Sequence, residues 1–344
     1  MLKKLAMLSG VSGDEKKVRE YIIEQITPYA NEITIDTMGN VIALKKGAEK
    51  TNHKIMVCAH MDEVGFIVSS ISDEGFVRFK SVGGIDDRIL LTQSVKIGEE
   101  KGVIGIKAVH LQSAEERRSV VKMKNMYIDI GAKDKKDAEK RVKIGDYVTF
   151  DTEYEEYGNG YIVSKALDDR VGCYALIDAI KNDYETDIYF CFTVQEEVGL
   201  RGARVLAHRL GADACIVVEC TTALDIPYTD EHEKVTRLGE GVALTIIDRS
   251  TIPSKRLNKF VMDTANKNNI KYQIKQAVAG GNDAGAISIY GGGCETACLS
   301  VPSRNIHSPV CVVKKSDVNS CVSLLKAVLK NIKDYTPLVK EDLR

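Results

Sequence analysis

Four short apolar segments of the sequence are each followed by a side chain that can bind a metal ion. They are residues 55–59 before His60, 188–194 before Glu196 and Glu197, 214–218 before Glu219, and 296–301 before His307. Apolar runs of this length are typical of strands that are buried on both faces of a sheet. Because ligands bind at the carboxyl ends of the strands in open α/β sheets, we expect these side chains to meet at one edge.

Each of these side chains alone has an ordinary structural explanation. The pair Glu196-Glu197 could be a solvated charge run, and the acidic pair at 168–169 could cap a predicted helix and interact with its dipole. Glu219 is harder to explain, because an unpaired carboxylate at the end of a buried strand costs several kcal/mol. The combination of two histidines with several carboxylates therefore favours a metal centre.

Two histidines and three carboxylates suit two divalent cations better than one. Imidazole and carboxylate ligands fit Zn, which is our first expectation, or Co or Mn. Two such ions lower the pKa of a shared water molecule, and a carboxylate that binds no metal can accept its proton. One member of the Glu196-Glu197 pair can bind metal while the other is the base. Asp62, two residues after His60, is placed to orient that imidazole.

The remaining patterns predict one α/β domain that is interrupted by an all-β insertion. Short strand candidates separated by glycine turns are typical of a small barrel or sandwich. They lie at 66–71, 76–80, 95–97, 103–106, 127–130 and 147–150. From Asp168 onward, helical and strand patterns alternate, as in α/β layers. We predict a catalytic domain at 1–66 and 163–344 and an all-β domain at 67–162. Near the N-terminus, Ser12-Gly13-Asp14-Glu15 predicts a capping box before a helix.

The composition excludes several classes of protein. The chain of 344 residues has 48 Lys+Arg against 49 Asp+Glu, so it lacks the basic character of nucleic-acid binders. No apolar run approaches the roughly 20 residues that span a bilayer, and the start has no long apolar segment typical of a secretory signal. The nine cysteines form no Cys-x-x-Cys motif, which indicates buried, reduced thiols. We therefore expect a cytoplasmic protein without a nucleic-acid or membrane partner.

Several motifs resemble those of the tetrahedral (TET) aminopeptidases, metallopeptidase family 42, which includes glutamyl aminopeptidases. These are HMDEVG at 60–65, YIDIGA at 127–132, ALDDRVG at 166–172, EEVG at 196–199, GGNDA at 280–284 and IHS at 306–308. They extend over nearly the whole chain, in the order and at the intervals of the family. The resemblance implies a zinc-peptidase-like mixed sheet flanked by helices. It also implies that the insertion is a dimerisation domain, through which dimers build a hollow tetrahedral dodecamer.

The resemblance further implies a role for each candidate residue. The ligands would be His60, Asp168 and Glu219 for one metal ion, and Asp168, Glu197 and His307 for the other. Asp168 would bridge the two ions, Glu196 would be the general base, and Asp62 would orient His60. The implied function is a dinuclear metal-dependent aminopeptidase that releases N-terminal amino acids from short peptides by attack of metal-activated water.

The sequence departs from the family pattern at two positions. Glu219 stands where the family often has Asp, so metal spacing or affinity could differ. Asn282 stands where Thr is common, which leaves open what this loop contacts in the substrate. We choose Asp168 over Asp169 as the bridge because the family motif allows Asn at the second place. The motifs do not determine the preferred N-terminal residue.

Three other functions are open from the sequence. A deacylase or carboxypeptidase could use the same two-metal edge. A glycosidase, or endoglucanase, could pair Glu196 or Glu197 with Asp62, but it would leave the histidines unexplained and the chain has no Trp for sugar stacking. A catalytically silent scaffold could keep the fold without the metal.

Overall fold

The computed structural model describes residues 1–49, 53–276, 278 and 280–338. In this part of the chain the α-helices are α1 (Leu2–Met7), α2 (Lys16–Ile26), α3 (Ala114–Arg118), α4 (Lys135–Glu139), α5 (Leu167–Ala179), α6 (Arg201–Leu210), α7 (Lys255–Lys267), α8 (Asp283–Ser288) and α9 (Lys315–Asn331). None of them is long and apolar enough to cross a membrane.

The strands fall into one large sheet and one barrel. Those of the sheet are β1 (Glu32–Ile35), β2 (Val41–Lys45), β3 (Ile55–His60), β10 (Glu155–Tyr157), β11 (Tyr161–Ser164), β12 (Ile188–Thr193), β13 (Ala214–Thr222), β14 (Val242–Leu244), β15 (Tyr272–Ile274), β16 (Glu295–Arg304) and β17 (Cys311–Lys314). Those of the barrel are β4 (Gly65–Ile71), β5 (Val77–Val82), β6 (Ser94–Ile97), β7 (Glu100–Gly105), β8 (Tyr127–Asp129) and β9 (Tyr147–Phe150).

The large sheet is mixed, with a parallel centre. Its order is β1-β2-β12-β3-β13-β16-β17-β11-β10, with β14 and β15 attached beside β16. Strands β12, β3, β13 and β16 run parallel. Every residue of β3 is buried, and successive side chains enter two different cores. Ile55, Val57 and Ala59 pack with residues of α2, α5 and α9, whereas Met56 and Cys58 pack with residues of α6 and α8.

The insertion folds as a closed barrel with a core of its own. Its strands pair in the order β4-β5-β8-β7-β6-β9, and all the short strand candidates of the sequence lie in it. Phe66 lies at the centre of this core, edge-to-face with Phe79 at 5.0 Å and with Phe150 at 5.3 Å between ring centroids. The predicted fold class, a helix-flanked mixed sheet with a small all-β barrel, is confirmed.

The barrel is attached beside the predicted metal ligands. β3 ends at His60, and β4 begins at Gly65. On the return, the chain leaves the barrel at Phe150, adds β10 and β11 to the large sheet, and then enters α5, which carries Asp168. Both connections therefore pass the edge of the sheet where the candidate ligands lie.

The predicted capping box at residues 12–15 is wrong. Helix α2 begins at Lys16, its N-cap residue is Glu15, and no side chain caps it. The Ser12 hydroxyl instead donates a hydrogen bond of 2.6 Å to Asp62 Oδ2. In a capping box the Ser12 oxygen would accept a backbone N–H of the helix, whereas here its hydroxyl is oriented to donate to a buried carboxylate, which is a strong, charge-assisted hydrogen bond. The N-terminal segment is thereby joined to the candidate site.

Candidate metal centre

His60 is the last residue of β3 and is fully enclosed. Its Nε2 lies 3.3 Å from Asp168 Oδ1 and 3.2 Å from Glu219 Oε1. Its Nδ1 lies 3.1 Å from the backbone carbonyl oxygen of Asp62 and 3.4 Å from Asp62 Oδ1. Because both neighbours of Nδ1 are acceptors, the neutral ring carries its proton there. In that tautomer the lone pair of Nε2 is available to a metal ion. Burial lowers the pKa of His60, but the charges of Glu219 and the other carboxylates around the ring raise it well above its ordinary value, so a proton occupies Nε2 when no cation competes for it.

Asp168 lies between the two candidate histidines. Its second oxygen, Oδ2, is 3.6 Å from His307 Nε2, and that nitrogen is 3.2 Å from Glu197 Oε2. Burial raises the pKa of Asp168, but the neighbouring imidazoles of His307 and His60 outweigh it and lower the pKa below its ordinary value. One carboxylate thus presents a different oxygen to each imidazole, which is the arrangement that a bridging ligand needs.

Asp62 holds the turn that carries both glutamates. Its Oδ1 accepts the backbone N–H of Glu196 at 3.0 Å, and its Oδ2 accepts that of Glu197 at 3.1 Å. Burial raises the pKa of Asp62, but the hydrogen bond and charge of His60 lower it overall. The carboxylate therefore stays ionised while it orients an imidazole and a turn at once.

Carboxylates outnumber imidazoles at this edge of the sheet. Their mutual repulsion and their burial raise the pKa values of three glutamates. Burial raises the pKa of Glu219 to about 7 and that of Glu197 to about 8, and the charge of Asp168 adds to both shifts. Burial and the charge of Glu219 raise the pKa of Glu196 well above its ordinary value. A bound cation reverses this repulsion, because its charge favours the ionised form of every carboxylate around it.

The donor atoms fit divalent cations. Ligand atoms of His60, Asp168 and Glu197 lie within 4.8 Å of one another, and so do those of His60, Asp169 and Glu219. Asp168 Oδ1 and Asp169 Oδ2 are buried without a hydrogen-bond partner among the described residues. Buried carboxylate oxygens without a donor are costly, so a cation is the natural partner here. Imidazole and carboxylate donors fit Zn, Co or Mn.

Asp169 and Cys220 also lie close to the candidate ligand atoms. Asp169 Oδ1 accepts the backbone N–H of Gly172 at 2.9 Å, which ties this carboxylate to α5 and leaves Asp168 as the freer ligand. Cys220 lies close to both aspartates, but burial raises the pKa of its thiol well above the ordinary value. Since the thiolate is the metal ligand, Cys220 is a poor one.

The comparisons with known proteins identify the family of the chain. The family model described as M42 glutamyl aminopeptidase matches residues 39–324. The chain belongs to metallopeptidase family 42. A relative from Acetivibrio thermocellus is 43% identical over 327 residues, which cover 94% of this chain and 96% of the relative. The lysyl aminopeptidase of Pyrococcus furiosus is 32% identical and covers 98% of this chain and 99% of its own.

A solved structure extends the match to the whole fold. It is that of the Pyrococcus horikoshii TET1 peptidase, described as assembling into a tetrahedron or a large octahedral shell. It has a TM-score of 0.86 and 37% identity, and the match covers 95% of this chain and 98% of that one. The chain is therefore an aminopeptidase of family M42 and a hydrolase of peptide bonds.

The backbone beside the ligands of this M42 aminopeptidase is strained. Residues other than glycine with positive φ flank the site: Ala166 at 53°, Gln195 at 56°, Asn305 at 55° and His307 itself at 57°. Each such conformation costs about 1–3 kcal/mol and persists where the surrounding structure requires it. Here it aims Glu196 and His307 at the common edge.

A buried ion cluster supports the His60 loop, and the sequence reasoning missed it. Glu63 accepts from Lys165 Nζ at 2.8 Å and from Arg170 at 3.2 Å. Arg170 is wholly enclosed, and its Nε donates to the Met61 carbonyl oxygen at 2.8 Å. Glu63 and Arg170 belong to the motifs around His60 and Asp168, so their importance could have been predicted from the sequence. That they pair with each other could not, because 107 residues separate them.

Another missed residue is Asp283, next to Asn282. It is buried and accepts the hydroxyl of Thr193 at 2.5 Å, and burial raises its pKa to about 6. Its place in the GGNDA motif was the available signal.

A small cavity of about 150 Å³ opens beside the ligands. Its lining includes His60, Asp168, Glu196, Glu219 and His307, together with Thr221, Thr222, Val235, Lys275, Asn282 and Ile306. A larger cavity of about 700 Å³ lies at the opposite edge of the sheet, where Asp213 and Glu295 mark the starts of β13 and β16. It contains none of the candidate ligands. A third cavity, of about 560 Å³, reaches the site from the barrel side, since Gly84 and Arg88 line it together with His307.

Proposed function

We propose that this M42 aminopeptidase holds two divalent metal ions in each subunit and releases N-terminal amino acids from short peptides. His60, Asp168 and Glu219 would hold one ion, and Asp168, Glu197 and His307 the other. The observation that carries the proposal is the position of Asp168, with one oxygen 3.3 Å from His60 and the other 3.6 Å from His307. Zn is the first candidate, with Co or Mn as alternatives.

The chain supplies the proton transfer and the positioning. Two bound ions would lower the pKa of a shared water molecule and polarise the scissile carbonyl. Glu196, which lines the cavity, accepts the proton of the attacking water and passes it to the leaving amine. Asp62 is a positioning residue, since it orients the His60 ring and accepts the backbone N–H of Glu196. The excess of carboxylates also favours a substrate with a free, positively charged amine.

The test is Glu196→Gln, which keeps the size of the side chain and removes the base. We expect kcat on an aminoacyl-anilide to fall about 100- to 10,000-fold, the usual contribution of general acid–base catalysis. Metal content, measured by elemental analysis, should stay unchanged. Glu24→Gln, the same change at an exposed position, is the matched control and should keep full activity. A Glu196→Gln enzyme that turns over normally would refute the assigned base.

Blocked peptides separate the related reactions. An aminopeptidase fails on peptides with an acetylated N-terminus and cleaves those with an amidated C-terminus. A carboxypeptidase shows the reverse pattern, and a deacylase accepts the acetylated substrate. Release of the first residue from only the free-amine peptides supports the proposal.

We further propose that the chain self-associates through the barrel, as in a tetrahedral dodecamer. The predicted division into 1–66 with 163–344 and an insertion at 67–162 stays a prediction. The separate barrel core supports it, although β10 pairs within the large sheet and so favours an earlier end of the insertion. The barrel also exposes Val109 and Leu111, each 64% accessible, which suits a contact between copies.

The assembly is tested by sedimentation of the metal-loaded protein. We expect a species near twelve subunits, and a shift to smaller species in Val109→Asp/Leu111→Asp. A wild-type monomer would contradict it. A cytoplasmic location is likewise a proposal, supported by the absence of a disulfide among the nine cysteines, all of which the structure describes.

A further inference from the structure

The turn that carries the proposed base is held by side chains from three separate segments of the chain. Four consecutive backbone N–H groups, those of residues 194–197, each donate to a side-chain oxygen. The acceptor is Asn40 for the first, Glu15 for the second and Asp62 for the last two, and all three of these residues are buried. The proposed chemistry uses Asp62 but not Glu15.

The side chain of Glu15 points away from the helix that follows it. Its backbone carbonyl oxygen accepts the N–H of Arg19 at 2.9 Å, in the first turn of α2. Its Oε1 instead accepts the N–H of Gly13 at 2.8 Å and that of Gln195 at 3.2 Å. A carboxylate that accepts backbone N–H groups makes charge-assisted hydrogen bonds, which are about twice as strong as neutral ones. The residue is only 3% exposed, so these bonds are shielded from water.

The segment that carries Glu15 is itself fixed in place. The Ser12 hydroxyl donates to Asp62, which ties the segment to the loop after β3. Gly13 has a φ of 98°, and a Cβ on it would lie 2.5 Å from the hydroxyl oxygen of Tyr147 in β9, so a larger residue would be strained there. Glu15 is therefore presented to the turn by a well-defined backbone.

Gln195 is the residue of the turn on which Glu15 acts. Its φ is 56°, a conformation that costs a residue other than glycine about 1–3 kcal/mol and persists where the surrounding structure imposes it. Its N–H donates to Glu15, and its carbonyl oxygen accepts the N–H of Arg201 at 3.1 Å. The next residue is Glu196, which lines the cavity beside the candidate ligands. Loss of the acceptor for the Gln195 N–H would let the turn relax and displace the proposed base.

We propose that Glu15 is a positioning residue for Glu196, because its carboxylate holds Gln195 in the conformation that directs the proposed base. The inference rests on the proposed function, since it takes Glu196 as the base. Asp62 binds the N–H groups of Glu196 and Glu197 and so acts on the base and on a proposed ligand, whereas Glu15 binds the residue before the base. Loss of the Glu15 carboxylate should therefore lower kcat and leave the metal content unchanged.

The test is Glu15→Met, which keeps the approximate length of the side chain and removes the acceptor. For the metal-loaded enzyme on an aminoacyl-anilide, we expect kcat to fall about 10- to 100-fold, because a displacement of about 1 Å can cost about 100-fold. KM and the metal content, measured by elemental analysis, should stay near their wild-type values. Glu20→Met, the same change at an exposed position of α2, is the matched control and should keep full activity.

Two conservative variants separate the position of the acceptor from its charge. Glu15→Gln keeps an oxygen at the same reach and should keep most of the rate. Glu15→Asp keeps the charge but withdraws the oxygen by one methylene, so its kcat should fall in the same direction as that of Glu15→Met. If Glu15→Met fails to fold, the order of these two variants decides the matter, and a faster Glu15→Asp would overturn the proposal.

A glycine at the strained position provides an independent measurement. Glycine adopts positive φ without steric cost, so Gln195→Gly should make the turn less dependent on Glu15. The loss of kcat caused by Glu15→Met should then be smaller in the Gln195→Gly background than in the wild type. An equal loss in both backgrounds would contradict the proposed action through Gln195.

Each remaining outcome has its own meaning. A folded Glu15→Met enzyme with wild-type kcat would overturn the role of Glu15 and leave the aminopeptidase proposal standing. A loss of kcat that is accompanied by loss of metal ions would overturn the assignment of Glu15 to the base. Normal turnover by Glu196→Gln, or no cleavage by the metal-loaded wild type, would refute the proposed function itself.

Discussion

Asp62 accepts the backbone N–H of Glu196 at 3.0 Å, although 134 residues separate the two in sequence. The acceptor comes from the loop that follows β3, and the donor comes from the turn that follows β12, its parallel neighbour in the sheet. A single carboxylate therefore couples the position of the proposed base to the position of His60. Disturbing it should affect catalysis and metal binding together.

Asp62→Asn tests this coupling. The amide keeps one acceptor oxygen but places an NH₂ group against a backbone N–H, so the turn and the His60 ring should both shift. We expect kcat/KM or metal affinity to fall about 10- to 100-fold, as for other residues that orient a metal ligand. The measurement is a metal titration followed by aminoacyl-anilide kinetics. Ser12→Ala, which removes only one donor to the same carboxylate, should cost less.

Removal of metal should abolish activity and lower stability. A chelator-treated sample should lose its aminopeptidase rate, regain it with Zn, Co or Mn, and unfold at a lower temperature than the loaded form. Binding at 100 times the dissociation constant stabilises the native state by about 2.7 kcal/mol. Elemental analysis should find two ions per subunit in the wild type and fewer in His307→Ala.

His208→Ala is the control for that change. His208 is exposed and contacts Tyr290 at 2.6 Å, away from the ligands, so the variant should keep both ions. A stripped enzyme that works at full rate would refute metal dependence.

Glu219→Asp should weaken the metal site around His60. The longer Glu side chain reaches within 3.2 Å of His60 Nε2, and loss of one methylene withdraws the carboxylate from that position. We expect metal affinity to fall by at least about tenfold, the lower limit for losing a residue that merely orients a ligand. Glu240→Asp, at an exposed position, is the matched control. Unchanged or tighter binding in Glu219→Asp would contradict this prediction and show that the site tolerates the shorter side chain.

Arg170→Met should destabilise the fold strongly. The variant removes the donor to Met61 and one of two cations beside buried Glu63. Breaking a buried ion pair costs about 3–5 kcal/mol, because a charge is left without its partner. Urea unfolding measures this loss of unfolding free energy. Lys259→Met breaks an exposed ion pair and should cost no more than about 1 kcal/mol; a similarly small loss in Arg170→Met would be the contrary result.

Much of the fold was predictable because its signals are local. The apolar run 55–59 must be buried on both faces whatever its neighbours are, and β3 is buried at every residue. The short strands of the barrel are likewise separated by glycine turns, and the observed strands lie within a few residues of their predicted bounds. The local pattern at Ser12 wrongly predicted a helix cap. The Ser12 hydroxyl donates a hydrogen bond to Asp62, 50 residues away in the sequence.

The sequence by itself determined the fold class, the family and the types of the candidate ligands, since strand patterning and motif residues are properties of neighbouring positions. Only the tertiary structure decided which of these groups meet. It placed Asp168 between two imidazoles, paired Glu63 with Arg170, and brought Glu15 to the backbone of Gln195. The physical reason is that burial, charge pairing and distance depend on segments more than a hundred residues apart. No local pattern records which of those segments the folded sheet brings side by side.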